Sequence, residues 1–231
     1  MSRIRGRDLK DLCRELIEAG RLSEASERVE RAIESDPDDG DCWILRAHIR
    51  HGMGDFEAAR DSLETAESLV PLGPASFCAL ADCYARTGRP DLARALYRDL
   101  AVDPASPLSL LSAIAAGLGG LGDDGPALAT CLDLARREPS NHQAHFAVAF
   151  YLRRLGRSPQ EMLPAVARAC ELAPEVSLYR VSYASLLDHL GRGDEARELL
   201  RDLDPGSVGC GCCLNRVRAI LLGTIGSGDG S

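Results

Sequence analysis

At 231 residues and a formal charge of −8, the chain lacks the basic excess that displaces counterions from a nucleic-acid backbone. Apolar residues make up 45% of it but aromatic residues only 4%, so alanine and leucine carry the burial, which suits close-packed helices better than a sheet. No run of about 18 apolar residues could span a membrane, and nine cysteines in a chain with this much core need no disulfide scaffold, which predicts a reduced, cytoplasmic protein.

The opening stretch, MSRIRGRDLKDLCRELIEAG, has no signal-peptide core and reads as an amphipathic helix closed by Gly20. A second helical segment runs from there to Pro37. The pattern then returns. Gly20, Ala25, Val29, Ala32 and Pro37 come back as Gly54, Ala59, Leu63, Ala66 and Pro71, each 34 residues on. A fixed period of that length marks a stacked repeat.

Carried along the chain, the period gives a glycine ladder at Gly20, Gly54, Gly88, Gly122, Gly156 and Gly191. Small residues stand seven positions earlier, at Cys13, Ala47, Ala81, Ala115, Ala149 and Ala184. Alanines stand five positions later, at Ala25, Ala59, Ala93, Ala127 and Ala196, with Met162 breaking the series. Pro37, Pro71, Pro104, Pro139 and Pro174 close successive units. The glycine can take the left-handed conformation that ends a helix, the small residues let two helices approach, and the proline stops the second one.

These ladders predict six helix pairs over residues 6–39, 40–73, 74–106, 107–141, 142–176 and 177–205, within an array over 1–203. Two places strain the pattern. Gly117, Gly119 and Gly120 each cost roughly 1 kcal/mol against alanine and should soften the end of the fourth unit's first helix. Pro164 falls inside the fifth unit's second helix, where it can bend the axis. After Leu203, residues 206–226 carry a further first-helix pattern around Ala219 and Leu222, expected to cap the last pair. Residues 227–231 read as a disordered tail.

The spaced positions resemble the tetratricopeptide repeat. In the third unit they are Phe77, Leu80, Ala81, Tyr84, Gly88, Ala93, Tyr97, Leu100 and Pro104. In the fourth they are Leu111, Ile114, Ala115, Leu118, Gly122, Ala127, Cys131, Leu134 and Pro139, and Trp43 opens the second. The resemblance implies an all-α, right-handed superhelical solenoid of antiparallel helix pairs, with the first helices on its concave side. It also implies a non-catalytic protein-interaction scaffold or adaptor that holds a peptide or protein segment in that groove. No catalytic residue, cofactor or metal is expected.

Projected onto the concave side, the first helices present Arg7, Lys10 and Arg14, then His48 and His51, then Asp82 and Arg86, then Phe146, Phe150, Arg153 and Arg154. These are the candidate groove residues. Some relatives clamp a C-terminal carboxylate with Lys and Asn side chains; Lys10 fits, but Arg14, Leu45, Ala75 and Ala79 stand at the other clamp positions, so that clamp is not expected here. Phe146 and Phe150, one turn apart beside two arginines, are the best peptide anchor, because exposed aromatic and arginine side chains dominate binding energies. The alternative is that these phenylalanines pack against the next repeat.

His48 and His51 share a helical face but lack a third ligand, which favours a solvated pair over a metal site. His142 and His145 repeat the spacing, and His145 falls at a packing position. Cys210, Cys212 and Cys213 match zinc-ligand spacing poorly. Two alternatives remain open: a homo-oligomer formed through the apolar last helix, and, more weakly, a metal or redox protein using the Cys210–Cys213 cluster. No nucleic-acid or membrane partner is expected.

Overall fold

Six turns are built on the same backbone device. In the computed structural model, Gly20, Gly54, Gly88, Gly122, Gly156 and Gly191 have φ between 69° and 79°, and they are the glycines with positive φ among the described residues. Past five of them the chain closes a six-residue bond: Arg21 donates to the Leu16 carbonyl, Asp55 to Arg50, Arg89 to Tyr84, Arg157 to Leu152 and Arg192 to Leu187, all at 2.8–2.9 Å. This is the Schellman closure of a helix, and the glycine is needed because a Cβ disfavours that conformation.

The structure describes residues 6–204, 206, 208 and 211–222, without the side chains of Arg7, Asp8 and Lys10. Among these residues there are thirteen helices and no strand, as expected of an all-α helical-pair array. The chain divides into two units, residues 1–122 and 123–231. The first holds α1 (Gly6–Glu18), α2 (Leu22–Ser35), α3 (Gly40–Gly52), α4 (Phe56–Leu69), α5 (Pro74–Arg86), α6 (Pro90–Val102) and α7 (Leu108–Gly120). The second holds α8 (Asp124–Arg137), α9 (His142–Arg154), α10 (Pro159–Leu172), α11 (Ser177–His189), α12 (Gly193–Leu200) and α13 (Gly211–Leu221). No helix among the described residues is long and apolar enough to cross a membrane.

Helix starts follow local chemistry. Asp39, Asp55 and Asn141 accept bonds from backbone N–H groups at the first turns of α3, α4 and α9. Ser158 and Glu161 form a capping box on α10. The residues before the five closing prolines, Asp36, Val70, Asp103, Glu138 and Ala173, have all left the α region, as the proline ring requires. At the bulky position that opens a first helix, Trp43 Nε1 donates to the Pro37 carbonyl at 2.8 Å and His145 Nε2 to the Pro139 carbonyl at 3.0 Å. His145 is therefore only half-buried, and it ties the end of one pair to the start of the next.

Both small-residue ladders are interior. Cys13, Ala47, Ala81, Ala115, Ala149 and Ala184 are buried, as are Ala25, Ala59, Ala93, Ala127, Ala196 and Met162. Leucines and isoleucines fill the space around them: Leu16 and Ile49 in one cluster of the first unit, Leu63 and Leu80 in another. Each such side chain contributes about 1.5–3 kcal/mol when fully buried.

Two helices run through the residues that strain the pattern. α7 runs through Gly117 and Gly119 without a break, and Gly117 has a packing role: a Cβ there would overlap the Tyr97 ring. α10 likewise continues past Pro164 to Leu172, with the Gln160 carbonyl forgoing the one N–H that the proline lacks. At the other end of the second unit, Val217 and Ile220 of α13 are buried in one cluster with Val181, Leu187, Ala196 and Leu200. Cys210, Ile225, Gly226 and the tail 227–231 lie outside the described residues.

Candidate functional site: a groove over the first helices

Each unit presents a polar or apolar face along its first helices, and the two faces differ in kind. In the first unit the charged groups satisfy one another. His51 Nε2 meets Asp82 Oδ2 at 2.7 Å, and Arg86 Nε donates to the same carboxylate at 2.9 Å. The Arg86 guanidinium lies over the Phe56 ring, 4.4 Å from its centre, and the His51 ring meets Phe56 edge-on at 5.3 Å. His48 keeps exposed surface on the same face, yet loss of water around its ring, and secondarily the charge of His51, push its pKa down. The two histidines are thus not an equivalent solvated pair, since His51 is committed to Asp82. Arg14 forms an exposed ion pair with Asp11 at 3.1 Å. Arg7 and Lys10 lie outside the described side chains.

In the second unit the corresponding face opens into a groove of about 780 Å³ walled by α9, α10, α11 and α13. Its floor is apolar: Ala149 of α9, Met162 and Val166 of α10, and Val181 of α11. Phe146 and Phe150 both line it, but differently. Phe146 is half-buried, its ring 4.6 Å from that of Tyr179 on α11, so it is partly spent on packing against the next pair. Phe150 is 38% exposed, with the Arg153 and Arg154 guanidiniums 5.7 and 5.8 Å from its ring centre. Arg153 lines the groove, whereas Arg154 is held in an ion pair with Asp124 at 3.0 Å and does not.

The groove also takes in residues beyond the candidate set: Arg157, Met162, Val166, Cys212, Cys213 and Arg216. Two of these carry a legible signal. Met162 is the one break in the second-helix alanine ladder, and its longer, flexible side chain is buried in the floor. Arg216 stands three residues before Ala219, the register of Phe146 before Ala149 and of Val181 before Ala184, so extending the groove rule to the last helix finds it.

Among the described residues, the lining contains three arginines, 153, 157 and 216, and no Asp or Glu. None of the three forms an ion pair with another described residue. Glu161 is near enough to Arg157 to feel its charge, but it is occupied by the Ser158 backbone and hydroxyl at 2.9 Å. His189 donates Nδ1–H to the Ser185 carbonyl at 2.8 Å, which fixes that tautomer. The arrangement can hold a ligand, by apolar contact below and positive charge at the walls.

An all-α stack of helix pairs, with the left-handed glycine turns and interior alanines described above, defines a helical repeat protein. Sequence profiles of the tetratricopeptide repeat match residues 44–109 and 178–202. The chain carries tetratricopeptide repeats in those two stretches. Among solved structures it is similar to PilW, a widely conserved type IV pilus biogenesis factor (TM-score 0.70, 18% identity, 96% of this chain and 100% of that one). It is also similar to a tetratricopeptide repeat protein from Parabacteroides merdae (TM-score 0.66, 16% identity, 94% and 86%) and to YrrB, a tetratricopeptide repeat protein with an unusual peptide-binding site (TM-score 0.61, 14% identity, 74% and 88%). No curated protein matches it in sequence.

Proposed function

We propose that this protein is a non-catalytic scaffold or adaptor that binds a peptide or protein segment along the first-helix face of its second unit. The observation that carries the reading is the groove of about 780 Å³ with its apolar floor and the 38% exposed Phe150 at its wall. An exposed aromatic beside arginine, over a preformed apolar surface, is the composition of a binding hot spot, and helices that are already packed lose little entropy on binding. The similarity to YrrB, a protein with an unusual peptide-binding site, supports a peptide ligand by analogy of fold. Phe146, Phe150 and Arg153 are the contact residues of this reading; His51, Asp82 and Arg86, beside His48, form a second, internally paired surface in the first unit.

Site-specific photo-crosslinking tests it. A benzophenone side chain at position 185, in the groove wall, should yield discrete crosslinked polypeptides, and the same probe at exposed position 171 should not. Equal or absent crosslinking at both positions contradicts the proposal.

A second reading rests on Leu221 and Leu222, which are 44% and 75% exposed on and just after α13. Paired across two copies, they would make a homo-oligomer. Sedimentation of Leu221→Asp beside the unaltered chain distinguishes the readings, since only self-association predicts a fall in mass.

A further inference from the structure

The proposed binding reading says that a peptide enters the second-unit groove, and the charges around that groove narrow down which. The chain as a whole carries −8, yet among the described residues the groove walls carry Arg153, Arg157 and Arg216 with no carboxylate between them. Elsewhere in the protein arginines meet acids: Arg46 and Arg50 share Glu30, Arg86 meets Asp82, Arg154 meets Asp124 and Arg192 meets Glu195. Among the described residues, three guanidiniums without an ion pair therefore surround one apolar floor. Left in a groove with low-dielectric walls, they focus a positive potential on whatever enters.

We infer that the groove selects an internal acidic–apolar peptide segment: one or more apolar side chains seated on Met162, Val166 and Val181, with Asp or Glu side chains on both flanks meeting Arg153 and Arg216. The inference rests on the binding reading above and adds the ligand's chemistry to it. Placement argues for separate carboxylates over a single chain terminus. Arg153 is on α9 and Arg216 on α13, with α11 packed beside both. Packed helices lie about 8–10 Å apart, so the two arginine backbones are on the order of 15–20 Å from each other. An extended peptide covers that distance in roughly five or six residues. Arginine suits the task because its planar fork binds a carboxylate through two parallel N–H bonds while its stem lies against apolar surface. Phe150 already carries the Arg153 guanidinium near its face, which holds that cation at the wall.

The test uses the full chain and a display library of random dodecapeptides. Peptides enriched on the unaltered protein should carry apolar residues between Asp or Glu residues. Their affinity should weaken with added salt and fall roughly tenfold or more for Arg153→Glu/Arg216→Glu. The neutral pair Arg153→Gln/Arg216→Gln, with circular dichroism matching the parent, should lose a smaller factor and so separates lost charge from lost fold. Enriched peptides that are neutral or basic, or that bind the Glu and Gln variants as well as the parent, overturn the acidic selection while leaving peptide binding standing. Failure to enrich any peptide on the parent contradicts the binding reading itself. Tighter binding of a labelled single-stranded DNA oligonucleotide than of any enriched peptide overturns the assignment of the ligand as a peptide.

Discussion

The Tyr97 ring on α6 lies against Gly117 of α7, so close that a methyl group at position 117 would occupy the space of the ring. Tyr97 is buried, and the low-dielectric surroundings push its phenol pKa far up. The glycine is thus the counterpart of the tyrosine: the first unit packs a large side chain onto bare helix backbone.

This relationship separates two glycines that look alike in sequence. Helix propensity alone says that alanine at either should stabilise α7 by roughly 1 kcal/mol. The packing says otherwise at 117, where Gly117→Ala should destabilise the protein by about 1–3 kcal/mol through overpacking. Gly120 has a helical φ and open space around its Cα, so Gly120→Ala should be neutral or stabilising. Urea denaturation of the two variants checks the pair. If both gain stability, the Tyr97 contact is not as described.

Glu30 joins α2 to α3 by accepting from Arg46 Nε and Arg50 at 2.9 Å each. Burial pushes its carboxyl pKa up, but hydrogen bonds from Arg50 and Arg46 outweigh burial, and the net position is below its ordinary 4.5. The unfolded chain therefore takes up this proton first on acidification. The stability from Glu30 is present above pH 4.5 and is lost as pH falls through the folded value. Glu30→Gln should lower stability by about 1–2 kcal/mol near neutrality and show a shallower acid limb than the parent in denaturation measured across pH. Parallel acid limbs contradict the assignment.

His48 offers a test of opposite chemistry. Its pKa is lowered, so the folded state favours the neutral ring, and the unfolded chain binds the proton more readily below 6.5. Stability from this group is full above 6.5 and declines as pH drops towards the folded midpoint. An NMR titration of the His48 ring should give a midpoint below 6.5, and His48→Gln should remove that contribution. A midpoint at or above 6.5 would contradict the loss of water around the ring.

Much of the architecture is readable in the sequence because its determinants are local or periodic. Gly20 and its five counterparts announce a backbone conformation that few other residues tolerate, and Ala25 with its counterparts announces how near two helices come. The groove was only half readable. Phe150 and Arg153 follow from projecting one helix, but which arginine is free depends on neighbours. Arg154 is taken by Asp124, thirty positions away in sequence on another helix. His51 looked like one of a solvated pair and is instead held by Asp82 from the next first helix. Arg157 falls in the extra residue after Gly156, where the period itself slips.

The most direct measurement is the chemical-shift response of the isotope-labelled chain to an acidic–apolar peptide enriched by display. The account predicts that backbone and side-chain signals of Phe150, Arg153, Val181, Ser185 and Arg216 move together and saturate at one stoichiometry, while those of His51, Asp82 and Arg86 stay in place. Shifts concentrated on His51, Asp82 and Arg86, with the second-unit signals unmoved, would contradict it.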